Sequence, residues 1–181
     1  MKGRRRESAL NDFLDALASK KAGGLTGDSF SGIDLNGESL MGVDFSHGAF
    51  DNSIFYECDL SKANLGDTSL QNTDFRKTIL LLTHFEGANC HQAKFNDARA
   101  TLATFNDALL IHADFSGALL QGVQFKHADL KGAIFENAIL RHCDFSGADL
   151  TGVYFTPEQK NSPGRVSHSS RHDLPVTHHV G

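Results

Sequence analysis

From Phe30 to Phe155 every fifth residue is Phe or Leu, with Cys90 and Ala100 the two exceptions among 26 consecutive positions. A five-residue period without insertions points to short identical units stacked on one another, and it leaves no long loops on which to assemble a catalytic site. Thirteen of these central positions are Phe and eleven are Leu. The residue two before each centre is small at all 23 positions from Val43 to Val153. Small and large residues two apart share one face of an extended chain, so the residue between them points outward. That residue is often Asp or Asn, as at Asp34, Asp44, Asp59, Asn64, Asp74, Asp114, Asp129, Asp144 and Asp149. The second residue after the centre is Gly at Gly32, Gly37, Gly42, Gly87, Gly117, Gly122, Gly132, Gly147 and Gly152, which suits the positive φ of a tight turn. Each unit reads as a very short strand and a turn. One unit cannot bury its inner face alone, so the units must stack.

The triplets Ala63-Asn64-Leu65, Ala113-Asp114-Phe115, Ala128-Asp129-Leu130 and Ala148-Asp149-Leu150 resemble the A(D/N)Lxx signature of the pentapeptide-repeat family. The resemblance covers residues 28–155, about 70% of the chain. It implies an all-β solenoid, a right-handed quadrilateral β-helix with four units per coil and about six and a half coils. At a strand spacing of about 4.8 Å the rod would be roughly 30 Å long. Residues twenty apart should then stack. One such column is Leu35, Phe55, Phe75, Phe95, Phe115, Phe135 and Phe155, and a second is Phe45, Leu65, Phe85, Phe105, Phe125 and Phe145. Leu40, Leu60, Leu80, Ala100, Leu120 and Leu140 form a third, and the fourth runs from Phe30 to Leu150. The segregation of Phe from Leu fits a square coil; an alternation every ten residues would produce it too. The Phe columns are the expected structural core.

Three segments follow. Residues 1–27 are a basic N-terminal segment, 28–155 the solenoid and 156–181 a tail that reads as disordered from its Pro, Ser, Gly and His content. The solenoid carries 17 acidic and 8 basic residues, net −9, whereas the first 27 residues carry 6 basic and 3 acidic. Residues 7–21 place Leu10, Phe13, Leu14 and Leu17 on one stripe at helical spacing. The helix they predict would cap the first coil over Phe30 and Leu35 and stop at Gly23 or Gly24. Arg4, Arg5 and Arg6 with this helix allow another reading, an arm for a membrane surface or a partner. Nothing comparable covers Leu150 and Phe155, so the C-terminal coil is open either to an end-to-end homodimer or to the tail.

Catalytic motifs are not found: no phosphate loop, HExxH, paired CxxC or nucleophile elbow. Cys58, Cys90 and Cys143 fall at inward positions and read as buried small residues. The solenoid histidines, His47, His84, His91, His112, His127 and His142, are scattered over coils and sides, and the tail histidines suit no metal geometry. The expectation is a protein that is not an enzyme, with no cofactor and no metal. No apolar run has transmembrane length and the N-terminus lacks an apolar signal core, so a cytoplasmic location is expected, with non-classical secretion left open. An acidic rod without a basic aromatic face argues against direct nucleic-acid binding.

The unusual surface feature is apolar. Outward or corner positions on the Leu80 column include Ile79, Leu81, Leu82, Leu102, Leu119 and Ile139, and Leu82 and Leu102 are twenty apart. A clustered exposed apolar patch marks a protein interface. A second placement exists for Leu102, which could turn inward through a bulge to fill space beside Ala100. On the opposite side Leu109 and Ile111 form a smaller outward pair. The leading functional reading is a noncatalytic protein–protein interaction module: a rigid acidic rod with an apolar stripe. The alternative, which the family resemblance implies, is a DNA mimic that binds and protects a topoisomerase, DNA gyrase, as the quinolone-resistance members do. This chain lacks their C-terminal dimerisation helix and projecting loops. A third reading is a secreted bacterial effector.

Overall fold

The structure, a computed structural model, describes residues 2–19 and 25–160. Its element order is α1 (Lys2–Ser19), β1 (Arg99–Thr101), β2 (Leu119–Gln121), β3 (Ile139–Arg141) and α2 (Pro157–Lys160). The three named strands are a small part of one continuous solenoid. Parallel bridges join residues twenty apart throughout, from Ser29↔Ala49 to Asp129↔Asp149. Phe30 N–H donates to Ala49 O (2.8 Å) and Ala49 N–H donates to Asp28 O (2.9 Å), and this pair of bonds recurs unit after unit. With a five-residue unit and a twenty-residue register, each coil has four sides.

The sequence gives each side its form. Centres and the small residues two before them point inward. Phe55, Phe75, Phe95, Phe115, Phe135, Phe85, Phe105, Phe125 and Phe145 are each at most 1% exposed. Between coils the Phe rings stack face to face, as Phe75 on Phe95 at 5.0 Å. Within a coil they meet edge to face, as Phe95 on Phe105 at 5.5 Å and 88°. Corners close with a bond from the N–H of the next small residue to the carbonyl of the centre, such as Cys58 to Phe55 at 3.1 Å. The third residue of every corner from Gly27 to Gly152 has positive φ, and glycine supplies ten of these 26 positions. The other sixteen include Asn, Asp and His, which tolerate this region, and two apolar residues, Leu82 and Leu102.

Two boundaries differ from the sequence reading. The coil register begins one unit before residue 28: Leu25 is fully buried, and its N–H donates to Asp44 O at 2.6 Å. At the other end, the tail expected to be disordered from 156 opens with a helical turn, α2. Gln159 Nε2 donates to Phe135 O (2.7 Å) and Ala138 O (2.9 Å), and Thr156 N–H donates to Gln159 Oε1. Inside the rod the carbonyl of a small residue accepts the N–H 21 residues later, as Cys58 O does from Ile79. For Ala138 that partner position is 159, and the side-chain amide of Gln159 takes the place of the missing backbone donor. Of the two expectations for the last coil, a second copy or the tail, the described residues show it partly covered by its own chain. Residues 161–181, with the tail histidines, lie outside the described residues.

Helix α1 begins five residues before the expected start at 7, and the glycine stop expected at 23 or 24 falls outside the described residues. Phe13 is fully buried, edge-on to Phe30 at 5.2 Å and stacked on Phe45 at 6.3 Å. Leu10, Ala16 and Leu17 pack against the same core, while Leu14 stays exposed. Among the described residues no helix is long and apolar enough to cross a membrane.

Candidate interaction surface

The three strands β1, β2 and β3 lie in one parallel sheet, and all belong to the side of the rod whose centres run from Leu40 to Leu140. On this side the corner bond is 3.3 Å at Val43 to Leu40, 2.9 Å at Ala63 to Leu60 and 3.4 Å at Thr83 to Leu80. The next three corners, at 102, 122 and 142, are bends, and the chain runs extended through Thr101, Gln121 and Arg141.

The stripe residues sit here. Ile79, Leu81 and Leu82 are each 37–38% exposed, Ile139 47% and Leu102 51%; Leu119 is half-buried. Ala100 is buried at 1% in β1, so Leu102 points outward and does not fill the space beside it. Leu82 and Leu102 hold the same corner of successive coils, with Leu82 N–H donating to Thr101 O at 2.9 Å. A Cβ at Gly122 would lie 2.7 Å from Leu102 Cδ2, so the leucine leans over the glycine of the coil beyond it. Leu119 and Ile139 are register partners across β2 and β3. Ile79 is separated from Leu119 by Arg99, which pairs in register with both. Met41, 56% exposed, belongs to the same side nearer α1 and was not among the residues picked from the sequence.

The charge on this side is also distinctive. Asp59 is the one carboxylate at its outward and corner positions from Ser39 to His142, with half-buried Glu38 in the same first unit, against the cations Lys62, Arg99 and Arg141. None of these three makes an ion pair or a side-chain hydrogen bond among the described residues. On the other sides Arg76 pairs with Asp74 (2.6 Å), Lys77 with Glu57 (3.3 Å), Lys126 with Asp144 (3.5 Å), and Lys131 with Asp129 and Asp149 (2.9 and 3.1 Å).

The outward Asp and Asn residues have a backbone role that periodicity did not reveal. Oδ1 of Asp44, Asp59, Asn64, Asp74, Asp114, Asp144 and Asp149 accepts the N–H two residues on, at 2.9–3.1 Å. These bonds support the entry to each corner. The Ser146 hydroxyl and N–H hold Asp144 below its ordinary value, and Thr151 does the same for Asp149.

Other candidate chemistry is not brought together. Cys58, Cys90 and Cys143 are buried and unpaired, and burial pushes the Cys58 and Cys143 thiols up to about 11. Among the histidines, the rings of His91 and His112 lie 6.1 Å apart. No group of three or more His, Cys, Asp or Glu among the described residues could hold a metal ion. Leu109, opposite the stripe, is 44% exposed, with Ile111 half-buried. An open groove at the C-terminal end is lined by Ile134, Tyr154, Glu136 and Gln159.

A family comparison agrees with the five-residue repeat. A family model described as pentapeptide repeats matches in eight copies over residues 39–76, 53–86, 83–122 and 118–156. Among solved structures, a pentapeptide repeat protein from the thylakoid lumen of Arabidopsis thaliana is 27% identical, with 77% of this chain and 81% of that one covered and a TM-score of 0.47. QnrB1, a plasmid-mediated fluoroquinolone resistance protein, is 19% identical over 70% of this chain and 91% of its own, with a TM-score of 0.38. HetL, a pentapeptide repeat protein of heterocyst differentiation regulation from the cyanobacterium Nostoc, is 22% identical over 81% and 73%, with a TM-score of 0.36. A comparison with curated proteins finds no match. The repeats matched from residue 39 to residue 156 cover well over half of the sequence, and the chain belongs to the pentapeptide repeat family.

Proposed function

We propose that this protein is a noncatalytic interaction module: a right-handed, four-sided rod of about six and a half coils, closed at one end by α1, that engages a protein partner through the Leu80 side. The observation that carries this reading is the state of Leu82 and Leu102. Both have φ of +56° and both are exposed. A left-handed conformation costs a residue with a Cβ about 1–2 kcal/mol, and Leu102, 51% exposed, offsets only part of it by burial. Glycine or asparagine would serve the corner better, as at Gly42 and Asn72. Unfavourable local choices held at a surface point to a use outside the fold. Affinity capture with the wild type and with a Leu82→Asp/Leu102→Asp variant tests the reading. A partner retained by the wild type and lost by the folded variant supports it; retention by both removes the stripe from the interface.

A second reading is a DNA mimic that binds gyrase. It draws on the rod's net −9 and on the near absence of carboxylates from the Leu80 side, which concentrates them on the other three. A gyrase supercoiling assay with quinolone separates the two: protection at low micromolar protein favours mimicry, and no effect leaves the interaction module in place.

A further inference from the structure

We propose that the Leu80 side docks one acidic amphipathic helix of another protein, its apolar face on Ile79, Leu82, Leu102 and Leu119 and its carboxylates on Arg99 and Arg141. This rests on the reading of that side as a partner surface and adds the chemistry of the partner. The first argument is charge. On a rod of net −9, this side has three cations and one carboxylate at its outward positions. The second is availability. Of the five cations on the other sides the rod ties up four, Arg76, Lys77, Lys126 and Lys131, with its own carboxylates, whereas Arg99 and Arg141 have no ion pair among the described residues. Arg99 stands in the sheet register between Ile79 and Leu119, so an anion reaching it must arrive flanked by apolar groups. A guanidinium beside an apolar surface is well suited to grip a carboxylate with two parallel bonds.

The third argument is shape. Ile79 to Ile139 spans three coil steps. At about 4.8 Å each, that is roughly 14 Å, the length of about ten helical residues. Across the rod the side is only one short strand's length wide, so a lone helix lying along it covers the stripe. A second copy of this chain fits less well. Two such sides face to face would set Arg99 and Arg141 of one copy against a surface bearing the same cations.

The test is selection of phage-displayed random 16-residue peptides on the full-length protein, counter-selected against the Leu82→Asn/Leu102→Asn variant. The counter-selection discards basic peptides that simply coat the acidic sides. The expected survivors carry Leu or Phe at helical spacing beside Asp and Glu, and they bind an Arg99→Glu/Arg141→Glu variant at least tenfold more weakly. Neutral or basic survivors, or survivors indifferent to the arginine changes, overturn the acidic partner and leave the stripe reading standing. No survivors overturn both. Light scattering that shows a dimer lost on Leu82→Asn/Leu102→Asn replaces the helix with a second copy. Sedimentation with phosphatidylglycerol vesicles that the same change abolishes replaces it with a membrane.

Discussion

The rings of Phe95 and Phe115 lie 4.7 Å apart and within 4° of parallel, one coil above the other. Phe75 stacks on the opposite face of Phe95 at 5.0 Å, and Phe85 and Phe105 meet it edge-on at 5.9 and 5.5 Å. Phe95 therefore has four aromatic neighbours and no exposed surface. Phe95→Ala should destabilise the rod by about 3–5 kcal/mol, because neighbouring coils held by their own ladders cannot collapse into the void. Urea unfolding measures this. Phe95→Asp should abolish folding, since nothing at that depth could pair with the charge.

The amide of Gln159 stands in for the donors of a coil that does not exist. Gln159→Ala leaves Ala138 O without the partner that the rest of the rod gives equivalent carbonyls. The expected cost is about 1–3 kcal/mol, the penalty of an unsatisfied buried acceptor. It should be local: hydrogen exchange should accelerate over residues 139–155 and stay unchanged around Phe75. Uniform acceleration along the rod would mean that Gln159 does more than close the end.

Asp144 and Asp149 lie below their ordinary values because Ser146 and Thr151 donate to the carboxylate form. A folded pKa below the unfolded value gives stability that is fully present above the unfolded pKa, about 3.9, and is lost as pH falls through the folded one. Melting temperature should therefore hold from neutral pH to about pH 5 and then decline. Asp144→Asn/Asp149→Asn keeps an Oδ1 acceptor without a proton to gain, as Asn64 does, and should shallow that decline. An unchanged acid slope would contradict the role assigned to these bonds.

Much of this fold was legible because its rule is local and repeats. The inward columns followed from a period of five and a register of twenty, and the bridges run in that register. Leu25 carries the same phase but lies outside the run counted from Phe30, beside a stretch that composition assigned to the helix and its stop. Gln159 could not be read, because its partners Phe135 and Ala138 become neighbours only once the chain has coiled. The stripe residues could be placed by counting, and the outward course of Leu102 fits the extended β1. Arg99, which divides the stripe, was not singled out from the sequence. That Arg99 and Arg141 are unpaired, while Lys131 bridges two aspartates, depends on side-chain reach that periodicity does not encode.

The central claim is that Leu82 and Leu102 serve a partner rather than the fold, and the equilibrium stability of Leu82→Asn/Leu102→Asn tests it most directly. Asparagine tolerates the left-handed corner, and both leucines are exposed, so the urea midpoint should stay the same or rise by up to about 1 kcal/mol equivalent per site. A loss of about 2 kcal/mol or more would contradict the account, because it would make the two leucines part of the rod's own packing.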